Sequence, residues 1–492
     1  MNGGAYIMVV IGILAAKCLG FLRDIVFASV FGASEYTDIY FQVFGLASLV
    51  FTGIGGALST LVIKNLNKSE NSTEQNQKQY VARFITKTAL VTIAITAILY
   101  ALAGPIVNLL LPGLAGHMHD DAVKIMYIML PSCLFVIVAY IMSGVLQNSG
   151  VFFVTSVMSL PYNAVIIASL LAPSADITAV SIITTVGWFL HIVILLPSFL
   201  KRGYRLAGSL KGVHSSKEHS REALYIFISG MMFQLVFMAD KASVTADSGA
   251  ASTINYASNL FVTIASVFVV AMSNVSYPSL CRHFESGNTD MVKNLLGYII
   301  TVLMAIFVPF MLTVTCFGGD IISLLYERGE FTERMSETTA LLFGIYTFGF
   351  FGYVCQELLG KVLYLDGKYG YTVAGTIAAV ALKPFVNTFI AKGNPQLVAL
   401  STTVIFSLYA VCILFAITKS VGNYFSAALC KNIGKIALSG ASALIVYELS
   451  KNLALPLSGT ELAFAPRLAL CALAYVAVLA LTGCIKFIIT KR

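Results

Sequence analysis

An all-α integral membrane protein with about fourteen transmembrane helices is the fold class this sequence predicts, arranged as two six-helix lobes in parallel repeat plus two C-terminal helices. Three observations predict it. Of 492 residues, 58% are hydrophobic and only 11% are charged, with a mean hydropathy of +0.86, whereas soluble globular domains carry about 25% charged residues. The apolar runs are of helix length and lack the roughly ten-residue alternation of a membrane barrel, so the spans are helices. Sequence features also return at an offset of about 216 residues.

Hydropathy places the spans near 5–31, 36–63, 83–111, 122–148, 151–172, 177–200, 223–245, 250–276, 291–317, 337–364, 370–390, 396–418, 430–450 and 465–488. Basic residues then set the orientation. One set of loops carries Lys64, Lys68, Lys78, Arg83, Lys87, then Lys201, Arg202, Arg205, Lys211, Lys217, Arg221, and later Arg282, Lys293, Lys368, Lys419, Lys431, Lys435 and the tail. The opposite loops hold few, among them Arg328, Arg334 and Lys392. Both termini are therefore expected in the cytosol. The net charge of +8 follows from the same bias and suits an anionic leaflet, so no nucleic-acid partner is implied. The first apolar run lacks a basic leader, so no cleavable signal peptide is expected. The nine cysteines are scattered through apolar runs with no CxxC pair and read as small core residues.

The repeat aligns Asp24, Ala28, Thr37 and Tyr40 with Asp240, Val244, Thr253 and Tyr256. Farther on, LLLPG at 109–113 aligns with LYERG at 325–329, and Gly144 with Gly360. Six helices fit in the offset, an even number, so the copies share a topology and substrate is expected between them. The expected domains are a first lobe 1–200, a basic cytoplasmic linker 201–222, a second lobe 223–419, and two added helices in 420–492.

Charges inside apolar helices are the candidate functional groups, because one at a bilayer centre costs roughly 2.5–3.5 kcal/mol and marks a watery route or a buried pair. The stretch 17–40 concentrates them: Lys17, Arg23, Asp24 and Asp38. At about 1.5 Å per residue from Ala5, Lys17 lies roughly 18 Å deep. Lys17 and Asp24 share a helix face, while Arg23 lies about 120° round from Lys17 unless Gly20 bends the helix. In the second copy stand Asp240, Lys241, Asn259, Lys361 and Lys383. Asp24 and Asp240 are expected to line the inter-lobe cavity near its mouth. The blander alternatives are a buried structural pair for Lys17, Arg23 and Asp240, mutual neutralisation of Glu357 and Lys361, and snorkelling for Lys64, Arg83 and Lys87. His117 and His119 are expected in a solvated loop, and Glu327, Glu330, Glu333 and Glu337 on a solvated rim.

Over nearly its whole length the chain resembles the MurJ (MviN-type) lipid II flippases of the multidrug/oligosaccharidyl-lipid/polysaccharide exporter superfamily. The resemblance rests on KCLGFLRDIVFASVFGASEYTDIYF (17–41), GGALSTLVI (55–63), the DKASV and TINYASNL segments within 240–260, YPSLCRHFESGN (277–288) and LLYERGEFT (324–332). It implies a fourteen-helix carrier of an undecaprenyl-pyrophosphate-linked peptidoglycan precursor in the bacterial cytoplasmic membrane. It also implies the undecaprenyl-linked glycan lipid and the bilayer as partners, with the cell-wall synthesis machinery a further one, and no cofactor. Lys17 stands where the family usually has arginine, and Arg23, Asp24 and Asp38 keep the family's residue types. Val50, Phe51 and Gly55 replace family charges in the second helix, and Asn259 replaces an arginine. Lys241, Lys361 or Lys383 are candidates to make up that charge. The substrate-binding set so implied is Lys17, Arg23, Asp24, Asp38, Asp240, Lys241, Asn259 and Lys361. Whether Asp24 or Asp240 also takes a sodium ion or a proton is left open.

The alternatives are a flippase for another lipid-linked oligosaccharide, a cation-coupled small-molecule antiporter, and a membrane enzyme. An antiporter favours twelve spans and a cavity dominated by carboxylates. An enzyme needs a long catalytic loop, a Gly-rich phosphate motif after a strand, or a spaced nucleophile and base, and the sequence offers none of these.

Overall fold

In the computed structural model the described residues are 3–66, 73–114, 116–173, 175–209, 224–225, 227–452 and 462–490. They form helices and their connections, with no strand among them. Nine of these helices are long and apolar enough to cross a bilayer, and Glu333–Thr347 with Phe350–Leu365, bent by 55°, makes a tenth. Gly53–Ile63 and Ala465–Leu481 are shorter apolar helices. Most of the linker expected at 201–222, with Lys211, Lys217 and Arg221, lies outside the described residues, as do Lys68, Lys491 and Arg492.

Helix starts follow capping chemistry. Ser34 accepts from the Thr37 amide and completes a capping box ahead of Glu35–Phe44. Thr73, Asp176, Asn288, Thr332 and Ser426 likewise accept from a first-turn amide of the helix that follows each, satisfying a donor that the helix cannot. At 117–119 the expected loop is instead the first turn of helix His117–Met129. Helix Thr289–Tyr326 outruns its expected end at 317 because it continues through Gly318, Gly319 and Asp320, where hydropathy falls but hydrogen bonding does not.

The chain divides into two compact units. The first comprises Met1–Asn255, Arg328–Phe331 and Val380–Pro395. Small residues bring its helices together, as expected where lipid gives no hydrophobic drive for association. A Cβ on Gly55 would lie 2.9 Å from Tyr140, one on Gly187 would lie 2.7 Å from the Tyr162 ring, and one on Gly20 would lie 3.6 Å from Asn163. Helix Gly3–Phe31 runs without a break through Gly20, where a Cβ would make only ordinary contact with Asn163.

The second unit comprises Tyr256–Glu327, Thr332–Ala379 and Gln396–Arg492. Gly352 lets helix Pro395–Val421 approach, since a Cβ there would meet Phe406 at 2.6 Å. Helices Ala427–Ser450 and Ala465–Leu481 pack with Thr289–Tyr326 around buried Ile436, Ala443, Cys471 and Tyr475. Two tyrosine hydroxyls fix this group: Tyr475 donates to the Ala305 carbonyl at 2.9 Å and Tyr447 to that of Cys316 at 3.1 Å.

Candidate functional site

The charges of the first helix divide between two places within the first unit. Arg23 donates to Asp24 Oδ1 through Nη2 at 2.7 Å and Nε at 3.0 Å. Its remaining terminal nitrogen reaches Asn163 Oδ1 at 3.2 Å and the Tyr162 hydroxyl at 3.4 Å. The guanidinium also lies 5.7 Å from the Tyr162 ring centroid. This planar fork holds an acid and two neutral acceptors at once, an arrangement that one lysine ammonium does not reproduce. One turn and a half earlier, Lys17 lines a cavity of about 490 Å³ together with Gln147, Thr155, Ser156 and Ser159. Ile13, Ala16, Phe152 and Met158 complete the wall, so a cation with hydroxyls and an amide on one part of the surface and apolar side chains on the rest suits an anion that carries an apolar portion.

Asp38 is buried at 2% exposure. It accepts from the Gly249 amide at 3.0 Å and from both the amide and the hydroxyl of Ser252, and so caps the start of helix Ala250–Glu285 from another element. Thr37 Oγ1 lies 2.6 Å from Ser252 Oγ. The fit depends on Gly249, whose φ is +79° and whose missing Cβ would strike the Ala33 carbonyl.

Around it, loop contacts occur in two copies. The Gly113 amide donates to Thr245 Oγ1 at 3.0 Å, and the Glu330 amide beside Gly329 donates to the Ser29 carbonyl at 3.0 Å. A Cβ on Gly113 would collide with Thr245 backbone, and one on Gly329 with Ser29 backbone. Gly113 and Gly329 are separated by 216 positions, as are Ser29 and Thr245. The two glycine contacts share the 216-residue spacing, while the hydrogen bonds beside them differ: the Gly113 amide meets a side-chain hydroxyl and the Glu330 amide a backbone carbonyl.

Asp240 and Lys241 are buried, at 0% and 2% exposure. Lys383 Nζ lies 2.7 Å from Asp240 Oδ1, and Asn387 Nδ2 donates to the same oxygen at 3.1 Å. Lys383, a candidate to make up the missing family charge, thus stands paired with Asp240. Lys241 donates to Asn255 Oδ1 at 3.3 Å and to the Phe41 carbonyl at 3.4 Å. In the second unit, half-buried Lys361 donates to Ser273 Oγ at 3.4 Å and lies 5.9 Å from the Tyr277 ring centroid. Asn259 is half-buried on helix Ala250–Glu285. Glu327, Glu330, Glu333 and Glu337 are exposed, as a solvated rim requires.

Sequence reasoning missed Tyr162, Asn163 and Asn387, neutral residues that hold the charges. The available signal was indirect: an arginine or aspartate inside an apolar run needs polar partners on a neighbouring helix. No group of three or more His, Cys, Asp or Glu suited to a metal occurs among the described residues.

The solved structure of a lipid II flippase MurJ in an inward closed conformation superposes with a TM-score of 0.82 at 21% identity, covering 98% of this chain and 100% of that one. An inward-facing multidrug-resistance MATE transporter of the MOP superfamily gives a TM-score of 0.66 at 12% identity, over 84% of this chain and 96% of that one. Among curated relatives, the probable lipid II flippase MurJ of Buchnera aphidicola subsp. Acyrthosiphon pisum is 22% identical, covering 77% of this chain and 76% of its own. The lipid II flippase MurJ of Burkholderia cenocepacia is 22% identical over 71% of each chain. The family model described as lipid II flippase MurJ matches residues 27–464. The chain is a multi-pass membrane protein and belongs to the lipid II flippase MurJ family.

Proposed function

We propose that this protein moves lipid II, the undecaprenyl-pyrophosphate-linked peptidoglycan precursor, from the inner to the outer leaflet of the bacterial cytoplasmic membrane by alternating access. The observation that carries the reading is the family match over residues 27–464. The chemistry of the first helix agrees with it. A lipid pyrophosphate cannot take its headgroup through hydrocarbon unaided, and Lys17 offers a cation in an open cavity of mixed polar and apolar lining. Arg23, paired with Asp24 and held by Tyr162 and Asn163, adds a polar cluster farther along the same helix. Outward movement of an anion down an inside-negative potential gains about 2.3 kcal/mol per charge per 100 mV, so the potential supports the direction.

In this reading the chain crosses the membrane fourteen times with both termini in the cytosol. Residues 1–200 and 223–419 are the repeated lobes, and 420–492 supplies two added helices. Asp38 and the Gly113 and Gly329 loops form a seal on the outward side. Asp240 and Lys241 act as scaffold, while Asn259 and Lys361 remain candidate headgroup contacts. The protein is a transporter rather than an enzyme. A second reading, another undecaprenyl-linked saccharide as cargo, is favoured by what the resemblance implies: Val50, Phe51, Gly55 and Asn259 stand where it places family charges. Depletion of the protein followed by leaflet-resolved measurement of lipid II separates the two. Lipid II retained in the inner leaflet supports the first, and an unchanged distribution rejects it. A cysteine placed at 329 should label from outside intact cells and one at 210 should not.

A further inference from the structure

Beyond the transport site, segment 203–209 folds back along helix Glu74–Ala101 and encloses a second cavity, of about 470 Å³. Lys78, Arg83 and Arg205 line it with Gln75, Gln79 and Ser209, and no carboxylate is among its lining residues within the described chain. Glu74 pairs with Lys78 at 2.6 Å, which leaves the charge of Arg83 and Arg205 in excess. Among the described residues Arg83 pairs with a neutral group, its guanidinium donating to Gln79 Oε1 at 3.3 Å.

The walls are built rather than loosely apposed. Tyr204 is buried, its ring tilted against Phe199 with centroids 5.2 Å apart, and its hydroxyl lies 3.3 Å from Ser149 Oγ. The Gly208 amide donates to Thr86 Oγ1 at 2.9 Å. Two glycines permit the approach. A Cβ on Gly203, at φ +78°, would lie 2.8 Å from Lys78 Nζ, and one on Gly208 would lie 2.8 Å from the Arg83 amide nitrogen.

We propose that this cavity binds a phosphate-bearing anion, the chemistry shared by an anionic phospholipid headgroup and soluble phosphate, and that the bound anion clamps segment 203–209 to helix Glu74–Ala101. Two guanidinium groups and an ammonium, drawn from two elements, suit a phosphate group, because arginine offers it paired N–H donors. The basic loops of the cytosolic leaflet place such a site where anionic lipid is concentrated. The inference does not depend on what the transporter carries.

The test uses the full chain in nanodiscs of mixed phosphatidylglycerol and phosphatidylcholine, with retained lipid counted by native mass spectrometry. Wild type should retain phosphatidylglycerol preferentially, and Arg83→Gln with Arg205→Gln should lose about tenfold of that preference. Gly208→Ala, which keeps all three charges but displaces the wall, should lose it as well. Lys419→Gln with Lys431→Gln, removing two exposed charges elsewhere, should retain it. A parallel arm compares thermal unfolding in sodium phosphate and in sodium chloride at equal ionic strength. Stabilisation by phosphate that requires Arg83 and Arg205, without lipid preference, assigns the site to soluble phosphate. The proposal is overturned if the arginine variant matches wild type in both arms, or if the Lys419 and Lys431 control loses as much as it does.

Discussion

Lys383 and Asp240 form an ion pair of 2.7 Å with both side chains at 0% exposure. The pair ties helix Tyr369–Val386 to helix Met232–Ser243, and Asn387 completes it from the widened turn Asn387–Ala391 that follows Pro384. Two opposite charges cancel only while both are present. Removing one leaves the other in a site that water does not reach.

Lys383→Met and Asp240→Asn should therefore each destabilise the protein by about 3–5 kcal/mol. The double variant should recover most of the loss, because it buries no uncompensated charge. Thermal unfolding of the purified variants measures this. If the double variant is as unstable as either single one, the coupling between the two residues is not what holds this region. If it folds but carries no lipid II, Asp240 has a transport role beyond scaffolding.

The paired glycine contacts carry a second expectation. Gly113→Ala and Gly329→Ala place a methyl group against the backbone of Thr245 and Ser29 respectively. Both should slow lipid II translocation while the protein still accumulates in the membrane. Gly329→Ala should be the more severe, since its φ of +60° adds about 1 kcal/mol of backbone strain. Leaflet-resolved lipid II in cells that depend on each variant is the readout. Wild-type transport by both would remove these loops from the working seal.

Much of this architecture was legible as hydropathy. The expected span 177–200 is helix Ile177–Lys201, 396–418 is Pro395–Val421, and 430–450 is Ala427–Ser450, because an uninterrupted apolar run in lipid has no alternative to a helix. The bend within 333–365 was not legible. It sits at Gly349, where a Cβ would meet the Tyr346 carbonyl at 3.1 Å and the Phe406 ring at 3.2 Å, a tertiary fact with no local hydropathy signal. The charged residues announced themselves by their setting, but partnership did not. Lys383 could be named from sequence, yet its neighbour Asp240 is 143 positions away, and nothing in either segment specifies the other.

Asp366 gives an expectation in pH. It lies in the turn after helix Gly360–Leu365, outside the membrane-spanning helices. Burial acts to raise its carboxyl, but hydrogen bonds from Lys368 and Ser420, with the charge of Lys368, more than offset this and hold it below its ordinary value. A carboxyl depressed in the folded state adds stability above its unfolded pKa of about 3.9, and that stability is lost as pH falls through the folded value. Lys368 is 41% exposed, so solvent screening limits the contribution to roughly 0.2–1 kcal/mol. Asp366→Asn should lower stability slightly at neutral pH and not at pH values below the folded pKa. Unfolding midpoints at the two ends check it, and an equal offset at both would assign the effect to packing.

Lys17 and Arg23 bear most directly on transport, and the structure separates what each should do when changed. Lys17 lines the open cavity of the first unit, so Lys17→Ala should remove an anion contact worth roughly 1.5–3 kcal/mol and stop lipid II movement without loss of folded protein. Lys17→Arg should be tolerated, since the cavity has room for a longer cation. Arg23 is different because its fork is already committed to Asp24, Asn163 and Tyr162. Arg23→Lys keeps the charge but cannot hold three partners in one plane, so it should lose both thermal stability and transport. Asp24→Asn keeps an acceptor for Arg23 while removing the negative charge. If Asp24 only positions Arg23, that variant should fold and transport at a reduced rate. If the carboxylate gates or couples, it should fold and not transport at all. Measured together in cells with no other lipid II transporter, the four variants make a pattern that a purely structural cluster does not produce. Normal cell-wall growth supported by Lys17→Ala and Arg23→Ala, alone and combined, would remove the first helix from the transport path.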